Sequence, residues 1–133
     1  ADKPMAYAMS HRPTRTGATA DNVTQEISDS GLPNDFYDHP EYYAIMNEPT
    51  YRESFEALKK IRGNPKGMVT IYRAGPKNQL NEGDWVTLSP QYAKGESLAE
   101  GTPVHSFKVR ADEIQFAGDD INEFGYWPNG GVD

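Results

Sequence analysis

Three polar residues stand where strands ordinarily carry packing side chains. Arg73 lies inside the apolar run VTIYRAG, Ser89 closes the run WVTLS, and Glu123 sits among aromatic residues in INEFGYWP. A guanidinium projecting near a strand end suits phosphate or carboxylate, which it grips through two parallel N–H bonds. A serine before proline either caps the following helix or offers its hydroxyl to a ligand. A carboxylate among aromatic groups is desolvated, which raises its pKa unless a cation or a hydroxyl compensates. Each residue also has a plainer reading: a strand arginine paired with one of the 20 acidic residues, a helix cap, and a solvated surface carboxylate. Tyr92, about one turn beyond Ser89, is either a core aromatic or a stacking platform.

The elements that must position these residues fall in two halves. Residues 1–33 show no sustained period and are rich in Thr, Ser, Asp and Gly, which predicts an extended lead-in or cap. Residues 34–63 read as the helical part. In NDFYDHPEYYAIMNE, Asp38 is placed to cap a short amphipathic helix with Pro40 in its first turn. In TYRESFEALKKIRG, Thr50 and Glu53 form a capping box, Gly63 follows the last turn, and Tyr51, Phe55, Leu58 and Ile61 mark one packing face. From residue 68 to 127 the periodicity becomes that of strands: Met68 to Ala74, Trp85 to Ser89, Pro103 to Arg110, and Glu123 to Trp127. In the third, Phe107 and Val109 are read as alternating against His105 and Lys108, so that His105 falls on the polar phase. DEIQFA is a short strand or helical turn, and Ser89-Pro90 opens a helix that ends near Gly101. Helices first and strands later predict an α+β fold.

Composition narrows the chemistry. At 133 residues the sequence reads as one domain with a single core. A net charge of -7 with scattered Lys and Arg argues against nucleic acid as a partner. The chain lacks cysteine, which removes disulfides, thiolate metal sites and a Cys nucleophile. The three histidines are dispersed without His-x-x-x-His spacing, so no metal site is expected. No Gly-rich phosphate loop and no Gly-x-Ser-x-Gly elbow is present. No apolar run suits a membrane span, and no signal peptide is expected. The ends, ADKPMAYAMS and NGGVD, read as those of a segment excised from a longer polypeptide.

The ordered set carries more than its members. Arg at the end of one strand, Thr-x-Ser at the end of the next and Glu in a late aromatic strand resembles the Arg-Ser-Glu signature of ADP-ribosyltransferases. The phrases IYRAGP, GDWVTLSPQYA, PVHSFKVRADEI and NEFGYWP resemble the ADP-ribosyltransferase-like domains of large phage polyvalent proteins, over about Val69 to Trp127. That resemblance implies an ADP-ribosyltransferase-like split antiparallel β core, with N-terminal helices packed at one side. It implies NAD as substrate, transfer of ADP-ribose to a macromolecular acceptor such as a host protein, and NAD hydrolysis as a side reaction. By the same resemblance, Glu123 would stabilise the oxocarbenium-like ribose, and Arg73 would bind the diphosphate with the backbone of Ala74 and Gly75. Ser89 would bond the ribose or Glu123, Tyr92 would stack on nicotinamide, and Tyr72 and Thr87 would flank the pocket. It places the activity in the cytoplasm of a bacterial host, toxin-like and delivered with a phage particle.

Two departures stand out. Arginine-modifying members carry Glu or Gln two residues before the catalytic Glu, where this chain has Ile121. The interval from Arg73 to Ser89 also omits most of the helical insertion usual there, so the lead-in HRPTRTG, through His11 and Arg12, is the expected closure of the pocket. Two other readings remain. One is a non-catalytic binding module, a phage structural or host-factor antagonist domain, with exposed EYY and FGYWP aromatics as anchors. The other is a small ribonuclease-like toxin using His105 and Glu123.

Overall fold

Proline and glycine set the helix boundaries in the computed structural model, which describes residues 12–24 and 31–129. Helix α1 spans Pro49–Ile61, with Pro49 in its first turn, where the missing N–H costs nothing. Gly63, at φ +76, turns the chain out of the helix, and its N–H donates to Asp21 O at 2.8 Å. Phe55, Leu58 and Ile61 form the buried face. Helix α2 spans Pro90–Glu100; Ser89 is its N-cap and Gly101, at φ 70, its left-handed exit.

The strands are β1 (Met68–Ala74), β2 (Trp85–Val86), β3 (Val104–Arg110), β4 (Ile114–Phe116) and β5 (Phe124–Tyr126). The fold is mixed α+β, and these strands make two small antiparallel sheets. One is β1 with β3, in register from Met68↔Arg110 to Ala74↔Val104. The other has the order β2-β5-β4, with Trp85 opposite Gly125 and Phe116 opposite Phe124. A bridge between Tyr72 and Thr87 ties the sheets together through N–H to O bonds of 2.9 and 3.0 Å. The lead-in adds to the other end: Thr19 bridges Gln115, and the Thr16 hydroxyl donates to Phe116 O at 2.6 Å.

Phe36, Leu58, Ile71, Ile114 and Phe124 are fully buried between α1, β1 and the three-stranded sheet. Phe36 meets Tyr37 and Phe55 edge to face, at 5.2 and 5.5 Å between ring centres. Ala18, Ala20 and Val23 of the lead-in are also fully buried. The lead-in is therefore part of the core wall over residues 16–24. No helix among the described residues is long and apolar enough to cross a membrane.

The structure corrects several local expectations. Residues 34–48 form no amphipathic helix; they hold only a 3-10 turn, Pro40–Tyr42, whose N-cap position is His39 and not Asp38. Pro40 disfavours helical backbone at His39 and supplies no N–H. Phe36 and Tyr37 go into the core while Tyr42 and Ile45 stay exposed, so one helical face cannot serve them all. The capping box does not form either, because Pro49 starts α1 with Glu48 as N-cap and no side-chain cap bond. Strand β2 is shorter than expected: its ladder stops at Val86 plus the Thr87 bridge, since the chain turns into the cap of α2. His105 shares the parity of Phe107 and Val109, not of Lys108. It is half-buried like Phe107, on the side where Val109 is buried, while Val104, Ser106 and Lys108 are exposed.

Candidate active site

Arg73 is the penultimate residue of β1 and only 7% exposed. Its Nε lies 3.4 Å from Asp84 Oδ2, an oxygen that also accepts the Asn81 N–H at 2.7 Å. Gly75 makes room for this arginine: a Cβ there would sit 2.5 Å from Arg73 Nη1. Ala74 is buried, and the Gly75 N–H donates to Pro103 O at 3.0 Å. His105 Nε2 lies 3.0 Å from Gly75 O across the β1–β3 pair. The contacts of His105 thus lead to this loop and not to Glu123.

Ser89 is fully buried, and its hydroxyl does two things. It accepts the Tyr92 N–H at 3.0 Å as the cap of α2, and it donates to Glu53 Oε1 at 2.6 Å. Gln91 adds its backbone N–H at 3.2 Å and its side-chain amide at 3.1 Å to the same carboxylate. Burial alone would raise the Glu53 pKa, but these hydrogen bonds outweigh it and hold the carboxyl below its ordinary range. Thr87, also fully buried, accepts the Ser89 N–H on its hydroxyl at 3.2 Å.

Glu123 immediately precedes β5 and is 5% exposed. Its backbone is fixed on both sides: its N–H donates to Asp120 O at 2.8 Å and its carbonyl accepts Ala117 N–H at 3.3 Å. Tyr92 Oη donates to Glu123 Oε2 at 2.9 Å. Desolvation, followed by the Glu123 carboxylate and then by Glu96 and Asp120, drives the Tyr92 phenol far above the ordinary tyrosine range. Tyr92 is therefore a firmly protonated donor that orients the carboxylate.

The structure joins Glu53, Ser89, Tyr92 and Glu123 through the first turn of α2. Arg73 stands apart on Asp84, immediately before β2. Arg12 reaches the same segment from the lead-in. Its guanidinium carbon lies 2.9 Å from where a Gly83 Cβ would be and 5.7 Å from the Trp127 ring centre. His11 lies outside the described residues. FGYWP is not an exposed anchor, since Phe124 and Gly125 are buried and Trp127 is 2% exposed.

Grooves flank the Glu53–Gln91 link. One, of about 400 Å³, lies between α1 and β1, with Tyr72, Leu88, Met68 and Lys60 in its walls. Another, of about 410 Å³, is lined by Tyr51, Tyr92, Glu48, Glu96 and Ile45. Among the described residues no three or more His, Asp or Glu are grouped as metal ligands would be. Sequence reasoning missed Glu53, Gln91 and Asp84. Asp84, in the turn NEGDW before a strand, was the one with a local signal. No protein-family model, curated protein or solved structure matches this chain.

Proposed function

We propose that this chain is an ADP-ribosyltransferase that uses NAD and transfers ADP-ribose to a macromolecular acceptor. The observation that carries this reading is the neighbour order β1–β2–β5: Arg73 lies on β1, Thr87 bridges to β1 just past β2 with Ser89 two residues on, Glu123 immediately precedes β5, and Glu123 is held by the helix that Ser89 opens. In the reaction the C1′–N bond to nicotinamide breaks and its electron pair leaves with nicotinamide, while positive charge spreads over C1′ and the ribose ring oxygen. A carboxylate fixed beforehand, with little exposure to water, stabilises that charge without reorganising. Glu123 meets this requirement, and Tyr92 fixes its direction. The acceptor nucleophile then bonds C1′ and releases its proton to solvent.

Arg73 binds the diphosphate by exchanging Asp84 for phosphate oxygens. The 3.4 Å separation is long for a charged hydrogen bond, so this exchange gives up a weak contact. Ile121 stands where arginine-modifying members carry Glu or Gln and is 3% exposed, which favours an acceptor group other than arginine. The acceptor is a protein of the bacterial host, and the cytoplasm is where it is met.

The test mixes the purified chain with NAD and follows free nicotinamide, with Glu123→Gln alongside. Release is expected to fall by about 100- to 1,000-fold in the variant. Equal release in both proteins overturns the assignment of Glu123. A second reading has its own support: Arg73 is paired with Asp84, and Ser89 with Glu53, as in a scaffold that serves binding alone. Absence of both nicotinamide release and an NAD-dependent thermal shift would favour that module.

A further inference from the structure

We propose that the groove beside Tyr92 is a docking site for a Lys- or Arg-bearing segment of another protein. Its volume of about 410 Å³ falls among those of ligand clefts. Its walls combine two aromatic side chains, Tyr51 and Tyr92, with the carboxylates Glu48 and Glu96, and no Lys, Arg or His is among its lining residues. Negative charge continues behind the walls. The Tyr51 hydroxyl donates to Asp120 Oδ2 at 2.6 Å and the Tyr92 hydroxyl to Glu123 Oε2 at 2.9 Å. Both phenols therefore turn their hydrogens away from the groove toward carboxylates.

The groove wall also offers an apolar surface: Ile45 is 60% exposed. A long cationic side chain fits this arrangement in both its parts. The alkyl stem covers Ile45 and the tyrosine rings, and the charged head reaches the carboxylates and the aromatic faces. The net charge of -7 adds a long-range field that draws such a segment in. An acidic or purely apolar partner would leave the exposed Glu48 opposed or desolvated.

Docking here stands apart from the NAD reading. Only the further step, that the segment belongs to the acceptor presented one side chain away from Glu123, rests on it. The probe is a fluorescein-labelled nonapeptide of alternating arginine and alanine, titrated with the full chain without NAD and read by anisotropy. Saturable binding is expected at about 50 mM salt, weakening toward about 200 mM. Glu48→Gln and Glu96→Gln are each expected to weaken it by about two- to fivefold. Ile45→Ala, at an exposed position in the groove wall, should weaken it as well. Glu82→Gln, an exposed carboxylate outside the groove, should leave it unchanged. Absence of saturable binding overturns the proposal, as does an equal loss for Glu82→Gln and the groove variants, which would assign the attraction to net charge. Nicotinamide release is measured separately. Peptide binding without release keeps the docking site and removes the transferase, whereas release without peptide binding does the reverse.

Discussion

Replacing Ser89 with alanine separates its structural duty from any catalytic one. The hydroxyl caps α2 at 3.0 Å and donates to Glu53 at 2.6 Å in a fully buried position. Loss of an N-cap costs about 1 kcal/mol. Loss of a hydrogen bond to a carboxylate costs about 1.5–3 kcal/mol, and the lower end applies because both Gln91 donors stay on Glu53. The expected loss is about 2–3 kcal/mol without any ligand, measured by urea unfolding followed by far-ultraviolet circular dichroism at neutral pH. Glu53→Gln and the double variant complete a cycle with a coupling of about 1 kcal/mol. The pH dependence has a definite sign. The Glu53 pKa is lowered on folding, so its contribution is present above the ordinary value of 4.5 and is lost as pH falls through the folded value. The difference between native protein and Ser89→Ala should therefore narrow in acid. A loss under about 0.5 kcal/mol, or no coupling to Glu53, would refute this account and return Ser89 to a role that needs ligand.

Tyr92→Phe removes the donor to Glu123 and should cost about 1.5–3 kcal/mol at neutral pH, measured by the same unfolding. Because the Tyr92 pKa is raised on folding, its contribution is whole below the ordinary value of 10.0 and declines as pH rises beyond it, so the variant should lose the steepest part of the alkaline fall in stability, up to about 1.4 kcal/mol per pH unit. Gly125→Ala would bring a Cβ to 2.5 Å from Pro13 Cγ and 2.6 Å from Trp127 Nε1. A loss of about 1–3 kcal/mol is expected, seen as a melting point lower by about 4–12 °C, and adding Pro13→Gly should recover part of it.

What could be read in advance was what local rules decide. Ser89-Pro90 and Gly101 bound α2 as expected, and the β-branched run Met68–Ala74 is β1 over its whole length. Partner choice was another matter. Glu53 looks like the second half of a capping box, but Ser89 and Gln91, far along the chain, draw its carboxylate away from its own helix. The pairing of Arg73 with Asp84 requires the β1–β2 ladder, which no local pattern encodes. The small residues Ala18 and Ala20 carry no periodic signal, and only contact with β4 and its neighbours buries them. In residues 34–48 aromatic density imitates an amphipathic face, while the side chains are divided between core and surface.

The seating of the lead-in on β4 also sets an order of folding. Thr16 and Thr19 find their partners at Phe116 and Gln115, near the other end of the chain. Closing a loop of that length is entropically slow, and its contacts repay the cost only when β4 is in place. At about 5–20 residues per second of synthesis, residues 16–20 wait about 5–20 s for their partners to be made. In that interval Ala18 and Ala20 are without their partners near β4, and the nascent chain holds α1 before it has the wall that completes the core. A chain stalled before Gln115 should accordingly present this segment to proteases and chaperones, and a completed one should not.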